Sequence, residues 1–301
     1  MKHSPYWVLA LSLLGISFAG PLVRLSNADA VTIAVWRLGF SLVIVSVFLV
    51  FTGEWRQLRT ANRRDFFLAI IGGVSLALHF WAWNASIHLT TIAASVTLVS
   101  LQPAVVAAIS AFALSETPSR RQVTGIAVAI IGAFIIAAPA MAGGFSSGNN
   151  PLLGNVLALS AALTAAVYYT IGRSLRPHLG VWSYVAIVYT AAFATLVMIA
   201  VARGTALTPQ PPREIGIFAA LAIGPMLLGH TGMNWALKYL PAYVVNLTVL
   251  GEPVGATLLG ALIPSIRQIP TVETLAGGIV VLTGVVIASR RTSSTAPRTQ
   301  G

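Results

Sequence analysis

The sequence predicts an all-α polytopic membrane protein whose ten transmembrane helices form two inverted five-helix repeats. Three observations lead to this prediction: a scarcity of charge, ten apolar segments in succession, and a set of residues that recurs in both halves. Charged residues make up 8% of the 301 residues and hydrophobic residues 56%, whereas a soluble domain is about 25% charged. The polar side chains are too few to cover a soluble globule of this size.

Short polar breaks separate ten segments that each approach the length of about 20 apolar residues that a bilayer-crossing helix needs. In chain order they are 6–24, 31–52, 66–87, 91–113, 122–140, 152–172, 181–202, 214–237, 242–263 and 272–289. We interpret the first as a retained span rather than a signal peptide, because its apolar stretch exceeds the usual length of about 7–15 residues.

These segments divide the chain into four parts. Residues 1–140 form the first five-helix repeat and residues 152–289 the second. A linker rich in Gly, Ser and Asn, 141–151, lies between them near the midpoint of the chain. A polar tail, 290–301, follows the last span and is expected to be disordered in the cytoplasm.

Basic residues indicate the orientation of the chain. With ten spans both termini share a side, and that side collects thirteen of the 18 Lys and Arg residues against four on the other side. Because cytoplasmic loops carry the excess of Lys and Arg, we expect a multi-pass protein of the inner (plasma) membrane with both termini in the cytoplasm. The net charge of +11 therefore reflects topology and does not indicate nucleic-acid binding.

The two halves of the chain share residues at a nearly constant offset. Asn84 matches Asn234 and Pro103 matches Pro253 at an offset of 150, and Gly125 and Gly132 match glycines at an offset of 152. Since each half contains five spans, an odd number, the halves have opposite orientations in the bilayer. Secondary transporters are often built from inverted repeats of this kind, with the substrate between them.

The order of these residues resembles the drug/metabolite transporter superfamily, and within it the ten-span exporters of amino acids and metabolites that contain two EamA-type repeats. The residues that carry the resemblance are Trp36-Arg37, Pro103, Glu116, Gly125, Gly132, Glu252-Pro253, Gly277 and Gly284. One departure is visible, because the second half has Pro264-Ser265-Ile266-Arg267 where a counterpart of Glu116 would stand. The resemblance extends from about residue 6 to residue 290.

Two charged residues lie well inside predicted spans, away from their ends, where polar groups usually face the bundle interior. Glu252 precedes Pro253, and either binds a substrate amine or a proton or stabilises the helix break. Arg37, early in the second span, either binds a substrate carboxylate or has a structural role. In the structural alternatives it pairs with Asp29 or Glu252, or extends to the outer interface.

Further polar and aromatic residues are candidates for substrate binding. His79 and Trp83 share one face of the third span with Ser75 and Ser86, as a wet cavity wall would, although a membrane histidine is often a simple interhelical hydrogen-bonding group. His230 is nearly equivalent to His79 in the other half. The remaining candidates are Asn84, Thr97, Tyr168, Asn234 and Asn246.

Pro103 and Pro253 fall at equivalent mid-span positions and are interpreted as structural or gating residues. A mid-span proline interrupts helix hydrogen bonds, so the pair provides hinges for alternating access or two static kinks.

These residues favour a secondary transporter that exports small metabolites, by the resemblance amino acids, with the aromatic residues favouring bulky or aromatic ones. The alternatives are a drug or nucleotide-sugar type of transporter and, in another class, a membrane-embedded enzyme. Neither cysteine nor an H-E-x-x-H metal motif is present, so we expect no catalytic residues, metal or cofactor. The expected partners are a small-molecule substrate and the lipid bilayer, with no nucleic acid and a monomeric chain. The sequence leaves open the exact substrate and whether export is proton-coupled.

Overall fold

Helices make up the regular structure of the computed structural model, which describes residues 4–90, 95, 98–99, 101–138, 150–263 and 272–289, and no strand occurs among these residues. The helices of the first half are α1 (Pro5–Ser17), α2 (Ala19–Leu25), α3 (Ala30–Phe51), α4 (Trp55–Thr60), α5 (Arg63–Leu89), α6 (Gln102–Ala113) and α7 (Arg120–Ala137). Those of the second half are α8 (Pro151–Leu175), α9 (Val181–Arg203), α10 (Pro212–Leu221), a π-helical segment (Ala222–Thr231), α11 (Gly232–Ala236), α12 (Ala242–Leu250), α13 (Glu252–Leu262) and α14 (Val272–Ser289).

Six helical stretches within the described residues are long and apolar enough to cross a membrane. They are Pro5–Val23, Ala30–Phe51, Arg63–Ser86, Pro151–Leu175, Val181–Arg203 and Pro212–Ala236. Large apolar side chains such as Phe51 and Phe112 are exposed, whereas Arg37 and several tyrosines are buried. This distribution suits a protein whose outer surface faces lipid. The predicted all-α class is confirmed, while the tail 290–301 and linker residues 141–149 lie outside the described residues.

Polar caps start two helices earlier than the apolar pattern predicts. The side chain of Asn62 accepts a hydrogen bond from the Asp65 amide at 2.7 Å, so α5 includes the charged residues before the apolar run. Ser119 and Gln122 form a reciprocal capping box at the start of α7. Such caps satisfy the free amides of the first helical turn, and hydrophobicity alone does not register them.

Pro103 and Pro253 each lie in the first turn of a helix rather than in a helix interior. The predicted span 242–263 is divided at Gly251 into α12 and α13, and Pro253 occupies the second position of α13. Pro103 occupies the same position in α6. Proline is well tolerated there because the amides of the first turn have no partner within the helix.

Glycines allow α7 and α14 to pack closely in antiparallel orientation. A Cβ atom built on Gly125 would lie 2.6 Å from the Gly284 carbonyl oxygen, and one built on Gly132 would lie 2.8 Å from the Gly277 carbonyl oxygen. Both distances are shorter than a van der Waals contact, so only glycine fits at this approach of the two backbones.

We expect Gly132→Ala to lower the free energy of unfolding by about 1–3 kcal/mol, because the added methyl group forces α7 and α14 apart. Thermal unfolding of the purified protein in detergent measures the change. Gly216→Ala is the matched control, since a Cβ atom there meets nothing within 4 Å. A melting temperature that is equally unaffected in both variants would contradict the close packing.

The main helix contacts join the two halves. Helix α3 packs on α9, α5 packs on both α8 and α9, α1 packs on the π-helical segment, and α6 packs on α12. The buried core therefore lies at the seam between the halves, and side chains from both halves meet there.

Candidate binding site

Polar and aromatic side chains gather at the seam between the halves, within helices that are otherwise apolar. Helices α3 and α5 supply the members from the first half. Helices α8, α9, α11 and α13 and the π-helical segment supply those from the second. A polar group in such surroundings is costly unless it has a partner or lines a wet cavity, so each of these side chains requires an explanation.

Arg37 is the buried cation of this cluster, with 4% of its surface exposed. Its guanidinium carbon lies 3.6 Å from the centroid of the Phe80 ring. The Nε and Nη2 atoms have no hydrogen-bond partner. Arg37 therefore does not extend to the outer interface. Asp29, one of its expected partners, instead accepts a hydrogen bond from the Val31 amide at 2.8 Å and caps α3.

The Phe80 ring connects the two predicted histidines. Its centroid lies 5.4 Å from that of His79 and 5.5 Å from that of His230, the latter in an edge-to-face arrangement. Nδ1 of His79 lies 2.9 Å from the Ala161 carbonyl oxygen. Because a carbonyl only accepts, Nδ1 donates and the second ring nitrogen remains available to another partner. His79 thus has the interhelical bond that was one of its two expected roles.

Asn234 joins Tyr168 and His230 into a hydrogen-bonded group. Its side-chain amide donates to the Tyr168 hydroxyl at 2.5 Å and to the His230 carbonyl at 2.8 Å. The Tyr169 hydroxyl lies 3.4 Å from Nδ1 of His230. Asn234 and both tyrosines are buried. Three residues predicted separately from the sequence therefore form one unit.

Two further tyrosines on α9 belong to the cluster and were not among the predicted site residues. The Tyr189 hydroxyl lies 2.9 Å from the Thr231 hydroxyl, and the hydroxyl of the buried Tyr184 has no partner. The sequence signal was a phenol in the middle of an apolar segment, where it needs a polar partner. Tyr189 faces the π-helical segment, which contains Pro225, and π-helical turns are frequent at functional sites.

Glu252 is the half-buried carboxylate at the start of α13, directly after the break at Gly251. It lies within electrostatic range of Arg37 and Tyr169. The ion pairs among the described residues are Arg173–Glu116 and Arg213–Glu214, so Glu252 and Arg37 interact electrostatically without forming an ion pair. The expected Arg37–Glu252 ion pair is thus not formed in this conformation.

Asn246, another predicted residue, has a partner from the other half. The Gln102 side-chain amide donates to its oxygen at 3.0 Å, and both residues are buried. The Asn246 amide nitrogen has no partner. Gln102 was missed as a site residue, although it stands at the position that matches Glu252 at the offset of 150.

The remaining predicted residues are not part of the contacts described above, or they lie outside the described residues. Trp83 is half-buried and Asn84 is buried on α5 beyond His79. Ser86, expected on a wet face with His79, instead bonds Ser95 at 2.5 Å in a buried contact. Thr97 and the side chain of Pro253 lie outside what the structure describes.

A second polar network ties the ends of several helices together. Nε of Arg173 bonds Glu116 at 2.7 Å, and Nη1 of Arg173 donates to the Leu237 carbonyl at 2.7 Å. Arg176, just beyond the membrane-spanning part of α8, donates from Nε to the Asn234 carbonyl at 2.9 Å. Burial lowers the pKa of Arg176 from its ordinary value. These contacts hold the end of α8 against α11, which carries Asn234.

The described residues contain no group of side chains that could hold a metal ion, and a surface hollow on α7 lies apart from the cluster. Within the described ranges no three His, Asp or Glu side chains come close enough to hold a metal ion. A shallow apolar hollow of about 500 Å³ lies on α7, where Ile131, Phe134, Ile135 and Ala138 line it. It contains none of the polar residues above, and its lining suits lipid.

An apolar outer surface around a buried polar and aromatic seam defines an integral membrane protein with a polar interior site. The family model of the EamA-like transporters matches residues 4–138 and 152–290. The chain therefore belongs to this family and is a multi-pass membrane transporter, which confirms the resemblance inferred from the sequence.

Two similar proteins extend this assignment over nearly the full chain. A protein of Archaeoglobus fulgidus named an uncharacterized transporter is 25% identical over 298 residues, which cover 97% of this chain and 100% of the relative. A solved crystal structure with 15% sequence identity has a TM-score of 0.78 and covers 96% of this chain and 98% of its own. At that identity the crystal structure supports the fold alone.

Proposed function

We propose that the chain is a secondary transporter that works by alternating access and exports small metabolites. Its main substrates in this proposal are amino acids, in particular bulky or aromatic ones. In this proposal ten spans form two inverted repeats in the inner membrane, with both termini in the cytoplasm. The observation that carries it is the seam cluster. Arg37, His79 and Phe80 from the first half come together with Tyr168, His230 and Glu252 from the second, so charged and aromatic groups of both halves meet at the seam.

The helix contacts support the inverted repeat. Gly125 of the first half corresponds to Gly277 of the second, and Gly132 corresponds to Gly284. The contact of Gly125 with Gly284 therefore has an equivalent in the contact of Gly277 with Gly132, which is also present. The contact of α5 with α8 maps in the same way onto that of the π-helical segment with α1. A two-fold axis between the halves relates contacts in this manner, and such an axis lying in the membrane plane is typical of secondary transporters.

Release of labelled substrates from proteoliposomes tests the proposal. Vesicles loaded with phenylalanine, threonine or a cationic dye are compared with protein-free vesicles. We expect the protein to accelerate the release of phenylalanine most. Release of the dye alone would favour a drug transporter instead, and equal release with and without the protein would exclude transport of all three solutes.

Alternating access also requires contacts that close the substrate site at each of its two ends and that open one end at a time. The Arg173–Glu116 ion pair connects the segment between α6 and α7 in the first half to α8 in the second. The positive-inside pattern assigns it to the cytoplasmic side. On the opposite side, Glu214 accepts hydrogen bonds from the Ser26 hydroxyl at 2.5 Å and the Asn27 amide at 3.2 Å. Each carboxylate thus closes one end of the seam.

We expect Glu116→Gln to increase the exposure of the seam to the cytoplasm about two- to fivefold, because a partly exposed ion pair contributes up to about 1 kcal/mol. The chain contains no cysteine, so Thr170→Cys places a single thiol at a buried seam position of α8. Labelling by an impermeant maleimide from the cytoplasmic side measures the exposure. Glu214→Gln, the same change at the opposite end, is the control and should leave cytoplasmic labelling unchanged or lower it.

A further inference from the structure

We propose that the Nε–Nη2 edge of Arg37 binds the carboxylate group of the transported molecule. The inference rests on the proposed function, because it takes the seam cluster as the substrate site. It adds the group that recognises the substrate and the chemical class that this group selects, a carboxylate-bearing metabolite and, for an amino-acid exporter, the α-carboxylate.

The first argument is the unfilled hydrogen-bonding capacity of Arg37. Its Nε and Nη2 atoms are both buried and both without a partner. These two nitrogens lie on the same edge of the guanidinium plane, the edge that binds a carboxylate through two parallel hydrogen bonds. A buried charged donor without an acceptor is costly, and a bound carboxylate would satisfy both donors at once.

The second argument is that the geometry holds this edge in place. The guanidinium carbon lies 3.6 Å from the centroid of the Phe80 ring, and a cation over an aromatic face is attracted to it. Phe80 in turn packs against His79 and His230. The ring thus fixes the plane of the guanidinium group while leaving its edge free.

The third argument is that five of the seven acidic side chains are engaged elsewhere or form no ion pair with Arg37. Asp29 caps α3, Glu116 bonds Arg173, and Glu214 accepts bonds from the Ser26 and Asn27 segment. Glu54 accepts the Trp182 and Ser183 amides at the start of α9. Glu252 lies within electrostatic range of Arg37 but forms no ion pair with it. A positive and a negative group held apart are complementary to the two ends of a zwitterion.

Equilibrium binding of labelled phenylalanine to the purified full-length protein tests the inference. Unlabelled phenylalanine, phenylalaninamide and 3-phenylpropanoate serve as competitors, since the second lacks the carboxylate and the third lacks the ammonium group. We expect phenylalaninamide to compete about tenfold or more weakly than phenylalanine, because it cannot accept the two charged hydrogen bonds.

Variants of Arg37 then test whether this residue causes the preference for phenylalanine over phenylalaninamide. Arg37→Gln should weaken phenylalanine binding about tenfold or more and remove the preference over phenylalaninamide. Arg37→Lys keeps the positive charge but lacks the two parallel N–H donors of the guanidinium group, and it should lose an intermediate amount of affinity for phenylalanine. Arg59→Gln, the same change on the exposed face of α4, should behave as the original protein. An Arg37→Gln protein that retains the preference would overturn the inference.

The remaining outcomes separate this inference from the proposed function. Binding and release of phenylalanine without any preference over phenylalaninamide would leave the transporter in place and exclude the Arg37 carboxylate site. If the unmodified protein neither binds nor releases amino acids, the proposed substrate is wrong. Binding of labelled 3-phenylpropanoate then decides whether Arg37 holds carboxylates at all. If Arg37→Gln does not fold, as judged by gel filtration and thermal unfolding, the inference is tested by the preference for phenylalanine over phenylalaninamide. This preference is then compared between the unmodified protein and Arg37→Lys.

Discussion

Glu252→Gln should reduce the accumulation of phenylalanine driven by a pH gradient about tenfold or more. The change keeps the shape of the side chain but removes its negative charge and its ability to take up a proton. Glu252 is a carboxylate of the cluster, within electrostatic range of Arg37 and Tyr169 and directly after the break between α12 and α13. An acid–base group at such a place is suited to couple proton binding to a conformational change.

Two transport modes distinguish the alternative roles of Glu252. Accumulation under an imposed pH gradient measures coupling, and counterflow of labelled against unlabelled phenylalanine without a gradient measures binding and exchange. Loss of accumulation alone assigns a proton-coupling role, and loss of both assigns a role in binding the substrate amine. Glu273→Gln, on the exposed side of α14, is the matched control. Accumulation at the original rate in Glu252→Gln would remove this residue from the transport cycle.

Asn234→Ala should destabilise the protein by about 1–3 kcal/mol and slow transport about tenfold or more, because it leaves two buried groups without their hydrogen-bond donor. Those groups are the Tyr168 hydroxyl and the His230 carbonyl. Thermal unfolding and initial efflux rates measure the two effects.

A double-mutant cycle with Tyr168→Phe tests whether the bond itself is responsible. If Asn234 and Tyr168 act through their hydrogen bond, the double variant should be less destabilised than the two single variants added together, by about 0.5–1.5 kcal/mol. Additive effects would mean that each residue acts through other contacts. Thr195→Val on α9 removes a hydroxyl that bonds only within its own helix, and it should leave the rate of efflux unchanged.

Local features of the sequence predicted the helices well. Among the described residues, every helix except α4 overlaps a predicted apolar segment, because an apolar run near bilayer length has few alternatives to a helix. The differences arise from side chains that the apolar pattern does not weigh. Caps at Asn62 and Ser119 make α5 and α7 begin earlier than predicted, and Pro253 lies in a first turn because the chain breaks at Gly251.

The sequence predicted many of the residues of the candidate site, but it did not predict which of them contact each other. Intramembrane polarity identified Arg37, His230, Asn234 and Glu252, since such groups are costly in lipid. It did not identify Tyr184, Tyr189 or Gln102. Their importance arises from partners in distant segments, such as Asn246 opposite Gln102, and a single apolar segment shows no sign of such a partner.

The sequence by itself determined that the chain is a helical membrane protein and which residues are too polar for lipid, because both follow from the composition of each segment. The tertiary structure decided what those residues do. It placed Arg37 over Phe80 with its binding edge free, held Glu252 nearby without an ion pair, and joined Asn234 to Tyr168. These arrangements depend on helices far apart in the chain, and the packing of small residues such as Gly125 against Gly284 sets how closely such helices approach.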